Sequence, residues 1–284
     1  MIYTLGIDLG GTNVRVAKVS ESGKIAEIKV ASSHGKEDYE SVMNHLFLLI
    51  DSFDLSDVES IGIGAPGVID YKNRILISSN IVSLKHVPFV DILKERYHRE
   101  AYLENDANCA GLAEALVGAG AGHSIVYYVT HSTGIGGALI IDGKLIRGAT
   151  GDTGEIGSSI IYQEPKTKFE WIHGGPQIAE LGKERLGTAT TKEVFDLARE
   201  KNPVAMEIVD KMANDMGHLL SYLYYLVNPD CIVLGGVVSK SLDVYYDALR
   251  SYYDYYAGRR SPDTYILKAK LEEPGIIGAA LLKE

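Results

Sequence analysis

The sequence has few cysteines and no long apolar run. Cys109 and Cys231 are its only two cysteines, too few for a disulfide framework. Both stand in apolar surroundings without the spacing of metal ligands, so we expect buried free thiols in a protein of the reducing cytoplasm. No run of about 18 apolar residues predicts a membrane span. The N-terminal residues 1–11 lack the charged region, apolar region and cleavage site of a signal peptide.

Basic charge is also scarce. The chain carries 28 Lys and Arg against 38 Asp and Glu, a formal net charge of -10. Proteins that bind nucleic acids usually present a basic face, and the Arg259–Arg260 pair is too small to provide one. The balance therefore argues against a nucleic-acid partner. The length of 284 residues and the hydrophobic content of 46% fit one large soluble domain or two ordinary ones.

Hydrophobic periodicity predicts an α/β chain whose two halves share one outline. Each half opens with a strand, a glycine turn that carries a threonine, and a second strand, which we interpret as a weak internal duplication. A hairpin turn is expected at Asp142–Gly143, and residues 117–124 form the expected boundary between two lobes. Predicted strands cover 2–9, 14–19, 25–30, 58–65, 101–104, 124–130, 137–141 and 230–234. Predicted helices cover 36–53, 90–98, 106–117, 203–227, 242–256 and 275–282.

The first glycine turn lies in the segment Asp8–Arg15, which reads DLGGTNVR. Glycines let backbone N–H groups approach an anion closely, and Thr12 and Asn13 add side-chain donors. A carboxylate beside phosphates needs a divalent cation between them, so Asp8 is expected to orient hydrated Mg²⁺. An ordinary hairpin turn with a capping aspartate explains the same residues about equally well. A dinucleotide-binding turn does not, because the spacing is not G-x-G-x-x-G and a strand follows.

The second turn, Ser132–Gly137, repeats this chemistry with hydroxyls and several amides between two strands. Two such turns facing one another would hold a polyphosphate from both sides, so the pair favours a nucleotide site more than either turn alone. A further glycine pair, Gly235–Gly236, ends a buried strand and would let a flat base lie against the backbone. A plain strand and turn account for that pair equally well.

Carboxylates supply the remaining chemistry. Asp106 lies at a predicted strand-to-helix junction, where it could act as the general base for a sugar hydroxyl. Local sequence alone favours a simpler explanation, in which Asp106 or Asn105 is only a helix N-cap. Glu155 and Glu170 could accept hydrogen bonds from neighbouring sugar hydroxyls, although isolated glutamates are usually solvated. The tyrosines of 245–256 are expected to pack one helix face or a subunit contact.

Together these segments resemble the repressor/ORF/kinase (ROK) family of bacterial sugar kinases and sugar-responsive regulators over nearly the whole chain. The resemblance rests on GIDLGGTNVRVA, GIGAPGVID, ENDANCAGLAEA, STGIGGALIIDGKLIRGATGDTGEIG and NPDCIVLGGVVS. It implies an α/β, actin-like ATPase (ribonuclease H-like) fold of two lobes with the active site in the cleft between them. The lobes are expected at 1–118 and 119–271, with a C-terminal helix in 272–284 returning to the first.

The resemblance also implies roles for individual residues. Asp106 aligns with the family's catalytic base, and Asp8 would bind Mg²⁺ through water. Val237 stands where family members usually have a third glycine beside the nucleoside. Sugar contacts are implied for Gly67, Asn80, Asn105, Asp106, Glu155 and Glu170. ATP contacts are implied for Asp8, Gly10, Gly11, Thr12, Asn13, Arg15, Ser132, Thr133, Gly134, Gly136, Gly235 and Gly236.

The chain departs from the family at a zinc site. Many members carry a histidine after Gly-Glu-Ile-Gly and then a cysteine cluster, which together bind a structural zinc. Ser158 replaces that histidine and residues 158–169 contain no cysteine, whereas a tetrahedral zinc site needs four such ligands. We therefore expect no zinc, and a short hairpin turning at Glu164–Thr167 in its place. The missing histidine also contacts sugar in zinc-bearing relatives, which makes sugar identity harder to infer.

The expected function is an ATP-dependent kinase acting at the 6-hydroxyl of a hexose or N-acetylhexosamine, with glucose and N-acetylmannosamine first among the sugars. One alternative is a sugar-responsive transcriptional regulator. Such relatives carry a DNA-binding helix-turn-helix ahead of the first motif, and only seven residues precede Asp8 here. A non-catalytic nucleotide-binding protein on the same fold is a third alternative. We expect sugar and ATP as ligands, no nucleic-acid or membrane partner, and a homodimer, which is common in the family.

Overall fold

The computed structural model describes residues 2–163, 166–258 and 263–283. The chain divides into two compact units. Unit 1 comprises Met1–Gly118, Arg147–Asp152 and Leu271–Glu284, and unit 2 comprises Ala119–Ile146 and Thr153–Lys270. The Arg259–Arg260 pair lies outside the described residues.

Strands and helices alternate along much of the chain. The strands are β1 (Tyr3–Leu9), β2 (Asn13–Val19), β3 (Ile25–Ser32), β4 (Val58–Ala65), β5 (Val68–Asp70), β6 (Ile75–Ser78), β7 (Glu100–Asn105), β8 (Ile125–His131), β9 (Ile135–Ile141), β10 (Lys144–Ile146), β11 (Ile160–Gln163), β12 (Lys166–Lys168), β13 (Cys231–Gly235) and β14 (Tyr265–Lys268). The helices are α1 (Tyr39–Asp51), α2 (Phe89–Tyr97), α3 (Asp106–Val117), α4 (Glu170–His173), α5 (Gly175–Leu186), α6 (Thr191–Arg199), α7 (Pro203–Leu226), α8 (Gly236–Ser239), α9 (Leu242–Ala257) and α10 (Pro274–Ala280). A 3₁₀ turn covers Ile156–Ser158.

Each unit is built on a five-stranded sheet of the same design. The order is β3-β2-β1-β4-β7 in unit 1 and β10-β9-β8-β13-β14 in unit 2. In both, the first three strands pair antiparallel and the last two run parallel to the third. The inner strands are buried and nearly continuously apolar, as strands covered on both faces must be. The repeated design is the structural form of the duplication seen in the sequence.

Helix α10 packs on unit 1 through backbone contacts that only glycine permits. A Cβ at Gly62 would lie 1.8 Å from the carbonyl oxygen of Ala279, and one at Gly278 would lie 1.7 Å from that of Cys109. A Cβ at Gly6 would lie 2.2 Å from the carbonyl oxygen of Ile276 in the same helix. Because glycine has no Cβ, β1, β4 and α3 approach the helix backbone directly. The C-terminal helix is thus part of the core of unit 1.

The tyrosine-rich helix α9 packs against α7 in unit 2. Tyr245 and Tyr253 are buried in the core. Tyr252 donates a hydrogen bond to Asp210 and Tyr256 donates one to Asn214, each at 2.9 Å. These four tyrosines therefore pack α9 against its own unit, as expected from their spacing.

Most predicted elements are present with ends shifted by a few residues, whereas α4, α5, α6, α8, β5, β6 and β14 were not predicted. Two of the missed helices carry ordinary start signals: Pro176 in the first turn of α5, and a capping box of Thr190 and Glu193 at α6. The expected hairpin near Glu164–Thr167 is present as the antiparallel pair β11–β12, with Thr167 in a strand and not in the turn. Glu164 and Pro165 lie outside the described residues.

Two further expectations concern cysteines and membranes. Cys109 and Cys231 are buried and free, which confirms the expectation of buried thiols. Within the described ranges, no helix is both long enough and apolar enough to cross a membrane.

Candidate active site

The first glycine turn is closed by its own backbone and held by a cross-strand ion pair. The N–H of Gly10 donates to the carbonyl oxygen of Asn13 at 2.9 Å, while residues 11–13 are exposed. Asp8 and Arg15 face one another in the register of β1 and β2. Arg15 Nη1 donates to Asp8 Oδ2 at 3.2 Å. The turn therefore presents exposed donors beside a fixed carboxylate.

Burial raises the pKa of Asp8 above its ordinary value, and the charge and hydrogen bond of Arg15 oppose that rise. Helix α10 begins beside this carboxylate: a Cβ at Gly275 would lie 3.3 Å from Asp8 Cγ. Arg15 also lies 3.8 Å from the Glu273 carboxylate, measured from Nε to Oε2. The packing of the C-terminal helix and the position of Asp8 are thus linked.

The junction of β7 and α3 separates the roles of Asn105 and Asp106. Asn105 is the N-cap, since its Oδ1 accepts the N–H groups of Ala107 and Asn108 at 2.9 and 3.3 Å. Its Nδ2 donates to the carbonyl oxygen of Gly67 at 3.3 Å. Asp106 is the first residue of the helix, with Oδ1 accepting the N–H of Ala107 at 2.9 Å. The capping role belongs to Asn105 and leaves Asp106 available for chemistry.

Asp106 is half-buried in an environment that favours its protonated form. Burial raises its pKa, the hydrogen bond from Ala107 lowers it, and the negative charge of Asp8 raises it again. A carboxylate with a raised pKa accepts a proton more readily than an ordinary aspartate, as a general base should.

The two interacting carboxylates of Asp8 and Asp106 also fit a divalent cation. Mg²⁺ keeps several waters and commonly binds proteins through one or two carboxylates. No group of three or more metal-ligating side chains occurs in the part of the chain that the structure describes. Two carboxylates are a donor set of the kind that Mg²⁺ accepts, and Asp8 adjoins the first glycine turn.

Gly67 and Asn80 lie near this junction in unit 1. Gly67 has φ 133°, and a Cβ there would lie 2.0 Å from the carbonyl oxygen of Ser78. The contact brings the end of β6 against the turn after β4, and the exposed Asn80 follows two residues later. Three predicted sugar contacts, Gly67, Asn80 and Asn105, are thus supplied by adjoining loops.

A buried glutamate behind the junction was not singled out from the sequence. Glu104 is 0% exposed, and its Oε1 accepts the Asn105 N–H at 2.8 Å, the Asn108 side-chain amide at 2.9 Å and the Tyr71 hydroxyl. Its Oε2 accepts Arg147 Nε at 2.6 Å. A glutamate ending a mainly apolar strand was the available sequence signal, but its partners are remote in sequence.

In unit 2 the second glycine turn is tied to two neighbouring segments. Ser132 Oγ accepts the N–H of Val237 at 3.1 Å, and the Ser132 carbonyl accepts the N–H of Gly175 at 2.8 Å. Gly236 has φ 86°, and a Cβ there would lie 2.4 Å from the carbonyl oxygen of His131. The predicted phosphate turn and the predicted nucleoside turn, Gly235–Gly236, therefore form one cluster.

Glu170 belongs to the same cluster. It begins α4, and a Cβ at Gly134 would lie 3.2 Å from its Oε2. Its Oε1 lies 3.9 Å from Lys168 Nζ. Thr133, which precedes Gly134 in the turn, is exposed. Gly136 pairs with Thr130 across the β8–β9 hairpin. The structure thus places Glu170 directly beside the second glycine turn.

Two glycines hold Glu155 against β9. A Cβ at Gly154, whose φ is 107°, would lie 2.2 Å from the carbonyl oxygen of Gly137. A Cβ at Gly157 would lie 1.9 Å from that of Ile135. Glu155 between them is exposed. The Gly-Glu-Ile-Gly motif is therefore a close backbone contact that projects one carboxylate from a fixed segment.

A buried histidine, His131, directly precedes the second glycine turn at the end of β8. His131, 1% exposed, bonds through Nε2 to the carbonyl oxygen of His173 at 2.5 Å. The His173 ring in turn bonds to Asp215 at 2.7 Å. Burial lowers the pKa of His131 from 6.5 to about 4. The folded protein therefore holds His131 neutral.

The protein should lose stability in acid partly through His131. The pKa of His131 is lower in the folded state than in the unfolded state. The stability of the folded protein is therefore undiminished by His131 above pH 6.5, and it declines as the pH falls toward 4. Full protonation would cost about 3 kcal/mol. In His131→Gln, the free energy of unfolding should change less between these pH values than in the unmodified protein, measured by urea denaturation. His123→Gln, at a less buried site in unit 2, is the control. Equal pH slopes for the His131 variant and the unmodified protein would contradict this account.

The paired sheets and their glycine-turn hairpins define an actin-like ATPase fold. The sequence matches the ROK family over residues 4–284, and the chain belongs to that family. A glucokinase from Thermotoga maritima is 30% identical over 99% of this chain and 97% of its own length. An N-acetylgalactosamine kinase from a Shewanella species is 30% identical over 83% of this chain and 82% of its own. The crystal structure of a ROK family glucokinase from Streptomyces griseus, in complex with glucose and AMPPNP, has a TM-score of 0.82 at 27% identity and covers 98% of both chains.

Proposed function

We propose that this protein transfers the γ-phosphoryl group of ATP to the 6-hydroxyl of a hexose or an N-acetylhexosamine. Membership of the ROK family and full-length similarity to carbohydrate kinases make the chain an ATP-dependent carbohydrate kinase. The observation that carries the proposal is the half-buried Asp106, with its raised pKa, beside the N-cap residue Asn105. A base held in this way suits the removal of a proton from a sugar hydroxyl.

In the proposed mechanism Asp106 accepts the proton of the attacking hydroxyl as that oxygen bonds to the γ-phosphorus. The bond between the γ-phosphorus and the β–γ bridging oxygen breaks, and ADP leaves. Phosphoryl transfer needs little covalent chemistry from the protein, so positioning and charge neutralisation supply most of the acceleration. The residues proposed to orient the sugar are Gly67, Asn80, Asn105, Glu155 and Glu170.

We assign ATP binding to the two glycine turns and to Gly235–Gly236. The exposed residues 11–13 of the first turn would contact phosphates, and so would Ser132–Gly134 of the second turn. Gly236 and the neighbouring Val237 would lie beside the nucleoside. Asp8, held by Arg15, would bind Mg²⁺ through water. The ion would neutralise charge on the transferred group. The two buried free cysteines support a reducing cytoplasm as the site of the reaction.

The identity of the sugar is inferred from the named relatives. Named relatives act on glucose in one case and on N-acetylgalactosamine in another, which supports testing both plain and N-acetylated hexoses. Glucose and N-acetylmannosamine are our first candidates. Glu155 is the carboxylate whose backbone is most firmly fixed, by Gly154 and Gly157, and we assign it to the sugar hydroxyls.

A coupled assay of ADP release should detect sugar-dependent turnover with ATP and Mg²⁺. The panel should contain glucose, N-acetylmannosamine, N-acetylglucosamine, N-acetylgalactosamine, fructose, allose and phospho-disaccharides, with Asp106→Asn as the inactive control. We expect at least one sugar to release ADP well above the rate without sugar, and its product to carry phosphate on O6. Absence of sugar-dependent release across the panel would remove the proposal.

A further inference from the structure

The ion pair of Glu104 and Arg147 lies immediately behind the residues that carry the proposed reaction. We propose that Arg147 is a positioning residue, which acts through Glu104 to hold Asn105 and Asp106 in the orientation needed for sugar binding and proton transfer. This inference rests on the proposed kinase function. Arg147 belongs to the segment Arg147–Asp152 of unit 1, to which no chemical role was assigned from the sequence.

The fully buried carboxylate of Glu104 requires a cationic partner. Its carboxylate is 0% exposed, whereas Arg147 is 38% exposed, and Arg147 Nε lies 2.6 Å from Glu104 Oε2. A buried carboxylate without a cationic partner is strongly destabilised. Because this arginine is the cation paired with Glu104, removing it should make the glutamate take up a proton or move toward water.

Either response would disturb the residues on both sides of Asp106. The opposite oxygen of Glu104 accepts the Asn105 backbone N–H at 2.8 Å and the Asn108 side chain at 2.9 Å. Asn105 caps the helix that Asp106 begins, and Asn108 lies in its first turn. Glu104 therefore fixes the peptide before Asp106 and the helical turn after it. A displacement of about 1 Å at a reacting group can lower the rate by roughly 10²-fold.

Arg147 is itself held in one orientation by Tyr71. The guanidinium carbon lies 5.1 Å from the centre of the Tyr71 ring, and the Tyr71 hydroxyl donates to Glu104. Gly151, with φ 92°, allows the chain to approach the other part of this ring: a Cβ there would lie 2.5 Å from Tyr71 Cε2. A planar guanidinium both stacks on the ring and donates through Nε, whereas a lysine ammonium does so less well.

A second ion pair in unit 1 also joins a buried charge, Lys18, to a partly exposed partner, Asp57, and supplies a matched control. Lys18 Nζ lies 2.6 Å from Asp57 Oδ1, and the Lys18 side chain is 8% exposed. Lys18 pairs with Leu5, three residues before Asp8 on β1, so this pair lies toward the opposite end of the sheet from the first glycine turn. Breaking it should reduce stability without moving the Asp106 junction.

The test compares Arg147→Met, Arg147→Lys and Asp57→Asn by steady-state kinetics and thermal unfolding, using the best sugar of the panel. Arg147→Met should lower kcat by roughly 10–100-fold and raise KM for the sugar more than KM for ATP. Arg147→Lys should recover part of kcat, because it keeps the charge but not the stacked guanidinium. Asp57→Asn should lower Tm, because it leaves the buried Lys18 without its anionic partner, while kcat stays near that of the unmodified protein.

Arg147→Met with unchanged kcat and sugar KM would overturn the inference, and so would an equal loss of kcat in Asp57→Asn. If Arg147→Met does not fold, Glu104→Gln and Arg147→Lys decide the matter, since both retain polar partners at the site. Glu104→Gln should also lower kcat, because its amide offers Arg147 a donor in place of an acceptor oxygen. Normal kcat in both of these variants would refute the positioning role. Lack of sugar-dependent ADP release by the unmodified protein would instead refute the kinase proposal itself.

Discussion

Replacing Asp106 with asparagine is expected to lower kcat by roughly 10²–10⁴-fold, the usual contribution of a general base, while sugar binding survives. Asparagine can still accept the hydrogen bond from the Ala107 N–H, so the start of α3 should keep its geometry. It cannot take the proton of the hydroxyl. Steady-state ADP release gives kcat, and isothermal titration calorimetry gives the dissociation constant of the sugar.

The same variant should not be less stable. Burial and the charge of Asp8 raise the pKa of Asp106, which means that the folded protein pays to keep this carboxylate ionised at neutral pH. Removing the charge should leave Tm unchanged or raise it, and such a rise is common when a functional residue is replaced. In the unmodified protein, kcat should fall in acid at a pH above the ordinary aspartate range.

Asp91→Asn is the matched control for this prediction. Asp91 is also an aspartate in the first turn of a unit 1 helix, α2, but it is exposed. Its replacement should leave kcat, sugar binding and Tm nearly unchanged. Full activity in Asp106→Asn would eliminate Asp106 as the base, whatever the effect of Asp91→Asn.

Gly62→Ala is expected to cause a large loss of stability for a single-methyl addition. The new Cβ would lie 1.8 Å from the carbonyl oxygen of Ala279, so β4 and α10 must move apart. Overpacking usually costs about 1–3 kcal/mol, and backbone on both sides leaves no rotamer to absorb the contact. We expect about 3 kcal/mol, and a Tm lower by roughly 6–12 °C. Activity should fall too, because Gly275 of the same helix lies against Asp8.

Gly11→Ala separates this steric effect from the general cost of changing a glycine. A Cβ at Gly11 meets no heavy atom within 4 Å, so its Tm should match that of the unmodified protein. Thermal unfolding of the two variants side by side measures the difference. An unchanged Tm in Gly62→Ala would show that α10 is not held by the close contact described here.

The turns and the β7–α3 junction were predictable because their signals are local. Glycine-containing turns between alternating apolar segments specify the hairpins around residues 10–11 and 133–134. A strand followed by Asn105–Asp106 and an alanine-rich run specifies a capped helix. The sequence could not tell which of Asn105 and Asp106 is the cap, since either side chain can accept the same N–H groups. Only the observed geometry assigns the cap to Asn105.

Contacts between distant segments were not predictable in this way. Glu104 and Arg147 are 43 residues apart, and neither position has a local pattern that names the other. The role of Gly62 is equally hidden, because its reason is a helix that comes more than 200 residues later in the chain. Glu170 was expected among the sugar contacts, and the structure adds that it lies beside Gly134.

The amino-acid sequence alone determined the α/β class, the repeated strand–turn–strand outline, and the residue types available for phosphate, metal and proton chemistry. These follow from the spacing of neighbouring residues, which fixes local backbone structure. The tertiary structure decided which side chain caps α3, which carboxylate is buried and raised in pKa by a neighbouring one, and which arginine neutralises Glu104. Burial and charge pairing are properties of groups brought together by folding, so they are set by distance in space and not by position along the chain.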